Sequence, residues 1–241
     1  VSSEFTVLKK GFEMPLTPSL CFLALVLVSL WTTVVPVEAA GGIEKALPTL
    51  FLAGCAWYYT RPRFGPWVAV GVLLGAMGDY SLASAERSWF QAGVVTFLLG
   101  HLAYSAAFAK EMKGTRARVI LILVTAGMMV ALVTLVSFRM VHVEEQALII
   151  PVSVYAVVLS IMMAITVLHQ SPTRLIAAGG LVFVISDAHI VLNHMFLSSP
   201  CLALALSGYA TYYLAQYCLV AGASYETRYH QNGGDLDGVA S

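Results

Sequence analysis

The apolar residues of this chain run in long blocks without alternation, and short clusters of charge and turn formers separate them. Eight blocks stand out, at about 19–37, 46–59, 65–84, 90–109, 118–138, 147–168, 174–196 and 200–222. A helix rising 1.5 Å per residue needs roughly 20 apolar residues to cross a hydrocarbon core of about 30 Å, and most of these blocks approach that length. Strands would show a two-residue period, which is missing. The pattern predicts an all-α fold, a polytopic membrane helical bundle with about eight transmembrane helices. It divides the chain into an N-terminal tail at 1–18, the bundle at 19–222 and a disordered tail at 223–241, where Q-N-G-G-D-L-D-G-V-A-S carries little that could be buried. The second block is short and contains Pro48, so it is expected to tilt or to lie against protein.

Composition agrees. The chain is 59% hydrophobic and 11% charged, with a mean hydropathy of +0.82, against about half and a quarter for soluble domains. Formal net charge is zero and no basic cluster is large enough for nucleic acid. Cys21, Cys55, Cys201 and Cys218 lie in apolar blocks without metal-ligand spacing and read as small core residues. The first block has a second reading, as a signal peptide, because Lys9 and Lys10 precede it and V-E-A at 37–39 resembles a cleavage site. With the N-terminus in the cytoplasm, ten of the thirteen Lys and Arg fall on the cytoplasmic side. Only Lys45, Arg87 and Arg139 lie opposite, which favours both termini, and hence both tails, inside.

Against this background the polar residues inside the blocks carry the chemistry. Asp79 ends V-G-V-L-L-G-A-M-G-D-Y in the third block, and Asp187 lies in F-V-I-S-D in the seventh. Both blocks run in the same direction, and both acids fall roughly 20 Å above the inner boundary, so they can share one cavity. Each would cost on the order of 3 kcal/mol if charged and unpaired at a helix centre, so neither is expected to face lipid. Gly71, Gly75 and Asp79 recur every four residues and strip that face of bulk. Phe97, His101, Tyr104 and Phe108 form one stripe in the fourth block, Tyr209, Tyr213 and Gln216 another in the eighth, and Tyr155 lies in the sixth. His194 shares the Asp187 face, whereas His189 and Asn193 point about 120–160° away from it; His189 reads as packing. His142, His169 and His230 carry no signal. The competing readings are that the two acids only tie helices together, that His101 is a satisfied interhelical donor, and that the tyrosines are ordinary packing. Asp79, His101, Asp187 and His194 include acceptable zinc donors, but no H-x-x-x-H or similar cluster exists, and no metal or cofactor is expected.

Taken in order, K-A-L-P-T (45–49), G-D (78–79), F-L-L-G-H-L-A-Y (97–104), F-V-I-S-D with Asn193 six residues later, and T-Y-Y-L-A-Q (211–216) resemble the YhhN family of membrane lysoplasmalogenases. The resemblance covers about residues 45–222 and departs at Ala46, where many bacterial members have proline. It implies an eight-helix enzyme, the 19–222 bundle being its catalytic domain. Such an enzyme hydrolyses the vinyl ether bond of lysoplasmalogens to a fatty aldehyde and glycerophosphoethanolamine or glycerophosphocholine. The family's two acidic positions fall on Asp79 and Asp187.

That chemistry asks for two carboxyls in different states. Protonating the β-carbon of a vinyl ether creates an oxocarbenium ion; water adds, and the hemiacetal collapses. One acid must keep its proton while the other faces the cation with negative charge, an arrangement that burial and like-charge repulsion can create and that parallels the paired carboxyls of glycosidases. Which acid plays which part stays open at this point. His101 and Tyr104 are expected to orient a carboxyl or the water, and Lys45 to pair with the lipid phosphate, its alternative being a boundary lysine whose ammonium snorkels. Tyr155, Asn193, Tyr212, Tyr213 and Gln216 are expected to line the substrate site, with the alkenyl tail among Phe97, Phe108 and Phe183. The partners implied are a lysophospholipid, water and the bilayer. The membrane is expected to be the endoplasmic reticulum if the source is eukaryotic, the plasma membrane if bacterial. The rival functions are a proton-coupled transporter, since intramembrane acids also mark proton relays, and a lipid-binding protein without turnover.

Overall fold

The computed structural model describes residues 14–35, 42–84, 86–142, 146–195 and 201–233. Among them are eight α-helices and no strand: α1 (Leu16–Val34), α2 (Ile43–Phe64), α3 (Trp67–Leu82), α4 (Arg87–Phe108), α5 (Arg116–His142), α6 (Ile149–Leu168), α7 (Leu175–Met195) and α8 (Leu202–Gln231). The eight apolar blocks of the sequence thus become eight helices. Five of these, α1, α4, α5, α6 and α7, are long and apolar enough to cross a membrane. The others differ for a physical reason. α3 has only 16 residues, and α2 and α8 carry polar side chains that they bury against their neighbours, Lys45, Thr49 and Thr60 on α2 and Gln216, Ser224, Glu226 and Thr227 on α8.

Six helices close a ring in which α2, α3, α4, α6, α7 and α8 each pack on the next and α8 returns to α2. α1 packs outside on α2 and α8, and α5 outside on α6 and α7. α5 is largely uncovered, with Leu123, Met128 and Val130 about two-thirds exposed, as expected of a helix whose surroundings are apolar. Two boundaries differ from the sequence reading. α2 extends beyond the 46–59 block at both ends, from Ile43 through Pro48 and Pro62 until Gly65, whose φ of 60° ends it. α8 does not end at 222 in a loose tail but continues to Gln231, with Ala223, Ser224, Glu226 and Thr227 buried. The V-E-A stretch at 37–39 and residues 234–241 lie outside the described residues.

What extends α8 is an ionic cluster at one end of the ring. Glu226, fully buried, accepts a hydrogen bond from Arg63 Nε at 2.7 Å and one from His169 Nε2 at 3.0 Å. His169 Nδ1 donates to the carbonyls of Phe108 and Lys110 at 3.0 and 2.9 Å. The ring thus faces carboxylate oxygens at one nitrogen and two carbonyl oxygens at the other. Arg63 also reaches Glu111 at 2.6 Å. The connections beside the cluster pair through Lys113 N–H to the Leu168 carbonyl and Gln170 N–H to the Glu111 carbonyl, at 2.8 and 2.9 Å.

Burial alone would raise the proton affinity of Glu226, but the hydrogen bonds and charge of His169 and the hydrogen bond of Arg63 outweigh it and hold the carboxyl below its usual range. A depressed carboxyl stabilises the fold above its unfolded-state value and loses that contribution as pH falls through its folded-state value. Glu226→Gln, which removes the buried carboxylate that Arg63 and His169 share, is expected to cost about 3 kcal/mol, read as a lower thermal midpoint in detergent. The variant should also lose part of the wild-type protein's destabilisation below pH 4.5.

Candidate functional site

The two acids approach from opposite sides of the ring, Asp79 on α3 and Asp187 on α7, and line one cavity of about 120 Å³. Ser186, His189, Asn193, Tyr209 and Tyr212 contribute its other polar groups, Phe97 and Leu82 its apolar wall. Both acids are buried, at 3% and 8% exposure, so neither is spread on the outer surface.

Each carboxylate has its own set of donors. Asp79 Oδ2 accepts from Thr49 Oγ1 at 2.7 Å and from the Tyr212 hydroxyl at 3.0 Å. Tyr212 is itself fixed by Gln216 Nε2 at 3.1 Å, and Gln216 Oε1 accepts a short hydrogen bond from Tyr104. Asp187 Oδ2 accepts from the Tyr155 hydroxyl at 2.7 Å, and His101 Nε2 lies 3.0 Å from that hydroxyl and 3.5 Å from the carboxylate. Tyr155 has one proton and gives it to Asp187, so His101 Nε2–H donates to the Tyr155 oxygen. Its Nδ1 is buried without a hydrogen-bond partner among the described residues. A hydrogen bond to a charged group contributes about 1.5–3 kcal/mol, so donors of this kind offset a burial cost on the order of 3 kcal/mol.

The glycines make this arrangement possible. A Cβ at Gly71 would stand 2.7 Å from the Tyr104 ring, and one at Gly75 would stand 2.5 Å from Gln216 Nε2 and 2.7 Å from the Tyr212 hydroxyl. Gly78 likewise admits the Phe97 ring, 2.6 Å from a would-be Cβ. The four-residue spacing of Gly71 and Gly75 therefore makes room for site side chains, and not only for a close helix.

A second, larger space of about 390 Å³ adjoins the first between α4, α6 and α7. Its walls are almost wholly apolar, including Val95, Pro151, Val152 and Val191, and it shares Leu82, Phe97, Asp187 and Ile190 with the polar cavity.

Several residues expected at the site have other partners in the structure. Lys45 does not stand free at a mouth: its ammonium donates to the Ser29 carbonyl at 2.7 Å and to the Thr32 and Thr33 hydroxyls at 3.0 and 2.5 Å, which uses all three N–H groups and clasps the C-terminal end of α1. Tyr213 donates to the Lys45 carbonyl at 2.8 Å and contacts Ser29 Oγ at the same distance, so it joins that clasp and lines neither cavity. Tyr104 hydrogen-bonds Gln216 and neither acid. Of the three phenylalanines, Phe97 lines both of these cavities and the others line neither; Phe183 is enclosed in the core and Phe108 packs beside His169 at the far end. Asn193 lines the cavity and its side-chain oxygen also accepts the Cys201 N–H at 2.8 Å, tying the end of α7 to the start of α8.

Sequence reasoning missed two residues. His189, set aside because it points away from Asp187, lines the same cavity, which spreads across the face that α7 turns to α8. Thr49 sits inside K-A-L-P-T but was not singled out, since a threonine in an apolar helix reads as filler. The side chain of His194 lies outside the described residues. Among those residues the group with metal-ligand spacing is Glu111, Glu226 and His230, at the other end of the bundle, and Arg63 already pairs with both carboxylates there.

Comparison with known proteins adds a family. The chain is 32% identical over 182 residues to a protein named lysoplasmalogenase from Mycobacterium bovis (strain ATCC BAA-935 / AF2122/97), spanning 74% of this chain and 68% of that protein. The same figures hold for a lysoplasmalogenase from Mycobacterium tuberculosis (strain CDC 1551 / Oshkosh). No solved structure matches. The YhhN family model matches residues 43–223, α2 through most of α8, and so takes in both acids and every donor that holds them: the chain belongs to the YhhN family.

Proposed function

We propose that this protein is a lysoplasmalogenase, a membrane hydrolase that cleaves the vinyl ether bond of 1-alkenyl-glycerophosphoethanolamine or -choline to a fatty aldehyde and the glycerophospho head group. The observation that carries the reading is the meeting of Asp79 and Asp187 in one sheltered cavity whose remaining polar groups are neutral hydrogen-bonding side chains and one histidine. The relatives named lysoplasmalogenase support it. Vinyl ether hydrolysis needs a proton donor and a negative group beside the developing oxocarbenium ion. Two carboxyls supply both when only one of them is ionised. His101 and Tyr155 orient Asp187, and Thr49 and Tyr212 orient Asp79, with Gln216 behind Tyr212.

The bundle works as a single catalytic unit. The end carrying Arg61, Arg63, Lys110, Lys113 and Arg174 faces the cytoplasm in this reading, and the acids lie toward the opposite surface. In this reading Lys45, whose ammonium hydrogens go to Ser29, Thr32 and Thr33, serves to hold α1 against α2.

Aldehyde release by purified protein from detergent-solubilised lysoplasmalogen tests the function. Asp79→Asn and Asp187→Asn are each expected to lower kcat by about a thousandfold or more with the thermal midpoint little changed. Release by neither wild type nor variants, from folded protein, overturns the reading. Gly75→Ala is expected to push Tyr212 and Gln216 off Asp79 and to reduce kcat/KM at least about tenfold, again read as aldehyde release. Lys45→Met should lower the thermal midpoint through loss of three hydrogen bonds while leaving KM for lysoplasmalogen unchanged.

A further inference from the structure

The two acids differ in what they touch. Asp79 lines the polar cavity alone, whereas Asp187 lines the polar cavity and the apolar groove between α4, α6 and α7. The vinyl ether is asymmetric in the same sense: its α-carbon carries the glycerol oxygen, and its β-carbon carries the hydrocarbon chain. An apolar groove that opens onto a carboxyl offers the chain a dry site. Its continuity with the acid cavity, through four shared residues, sets the head on one side of Asp187 and the chain on the other.

We propose that the groove holds the alkenyl chain of the substrate and that Asp187 is the proton donor to the β-carbon, with Asp79 acting on water at the α-carbon. This rests on the vinyl ether hydrolase reading. The Asp187 O–H bond breaks and the double-bond pair forms the new C–H bond at the β-carbon, leaving an oxocarbenium ion at the α-carbon. A water oxygen adds there and gives its proton to the Asp79 carboxylate. The hemiacetal then collapses: its hydroxyl proton passes to Asp187, its C–O bond to glycerol breaks, and the glycerol oxygen takes the proton held by Asp79. Both acids return to their starting states, and one water is consumed. Tyr155 occupies Oδ2 of Asp187, which leaves Oδ1 to carry the reacting proton.

The titratable groups that face Asp187 are His101 from α4, Tyr155 from α6, His189 from its own helix, Asp79 from α3, and Tyr209 and Tyr212 from α8. Proton donation by Asp187 makes kcat fall on the alkaline side as the donor is lost. Tyr155→Phe removes the donor that holds the ionised form and is expected to move this alkaline limb to higher pH by about half a unit or more. Tyr212→Phe, beside Asp79, is expected to lower the plateau and leave the limb in place. Any other pattern overturns the assignment: the limb moved by Tyr212→Phe, by both variants or by neither.

A second measurement addresses the groove. Val152→Trp is expected to raise KM about tenfold for a sixteen-carbon alkenyl chain and to spare an eight-carbon one. Equal effects on both chains, or none on either, place the chain elsewhere and overturn this part. Wild-type protein that releases no aldehyde at any pH sinks the hydrolase reading itself, a result distinct from active protein whose limb answers to the wrong tyrosine.

Discussion

A carboxyl withdrawn from water into an apolar bundle has to be given donors by other helices, and much of this structure answers that requirement twice. Asp79 on α3 takes its donors from α2 and α8, and Asp187 on α7 takes its donor from α6, which His101 on α4 backs in turn. Together these contacts involve all six helices of the ring. The polar side chains that leave α2 and α8 below the hydropathy of a lone membrane span are among those the acids need. A ring of purely apolar helices would have no means of keeping two acids inside it.

The same requirement fixes the small residues. Gly71, Gly75 and Gly78 lie where Tyr104, Tyr212 with Gln216, and Phe97 press against α3. Close packing normally serves dispersion; on this helix it also brings hydroxyl and amide groups up to Asp79 and its neighbours. α3 is short for a span because its surroundings are mostly protein, its buried residues including Val68, Val72 and Ala76 besides the glycines.

The sequence made the helices legible, since eight apolar blocks separated by charge have few other physical outcomes. It also marked both acids, because an ionisable group within such a block is conspicuous, and it placed His101 on the correct stripe. What it could not carry was pairing across the ring. Lys45 looks like a boundary lysine until the Ser29 carbonyl and the hydroxyls of Thr32 and Thr33 are seen around its ammonium. His169 and Glu226 lie 57 residues apart, in stretches read as a helix end and a loose tail, and only the fold joins them. His189 shows the limit of angular reasoning on one helix: a cavity is bounded by several helices, so a residue turned away from Asp187 can still border the same space.

The ionic cluster around Glu226 has a mechanical side. Arg63, His169, the carbonyls of Phe108 and Lys110, and Glu226 join the ends of α2, α4, α6 and α8 at one face of the ring. At the opposite face the Lys45 clasp joins only α1, α2 and α8. Between α4 and α6 the described residues show that ionic tie at one face and the His101–Tyr155 hydrogen bond within the bundle, and the apolar groove lies between the same two helices. The distance between the two helices that wall the groove is thus held in part by buried ion pairs at one face.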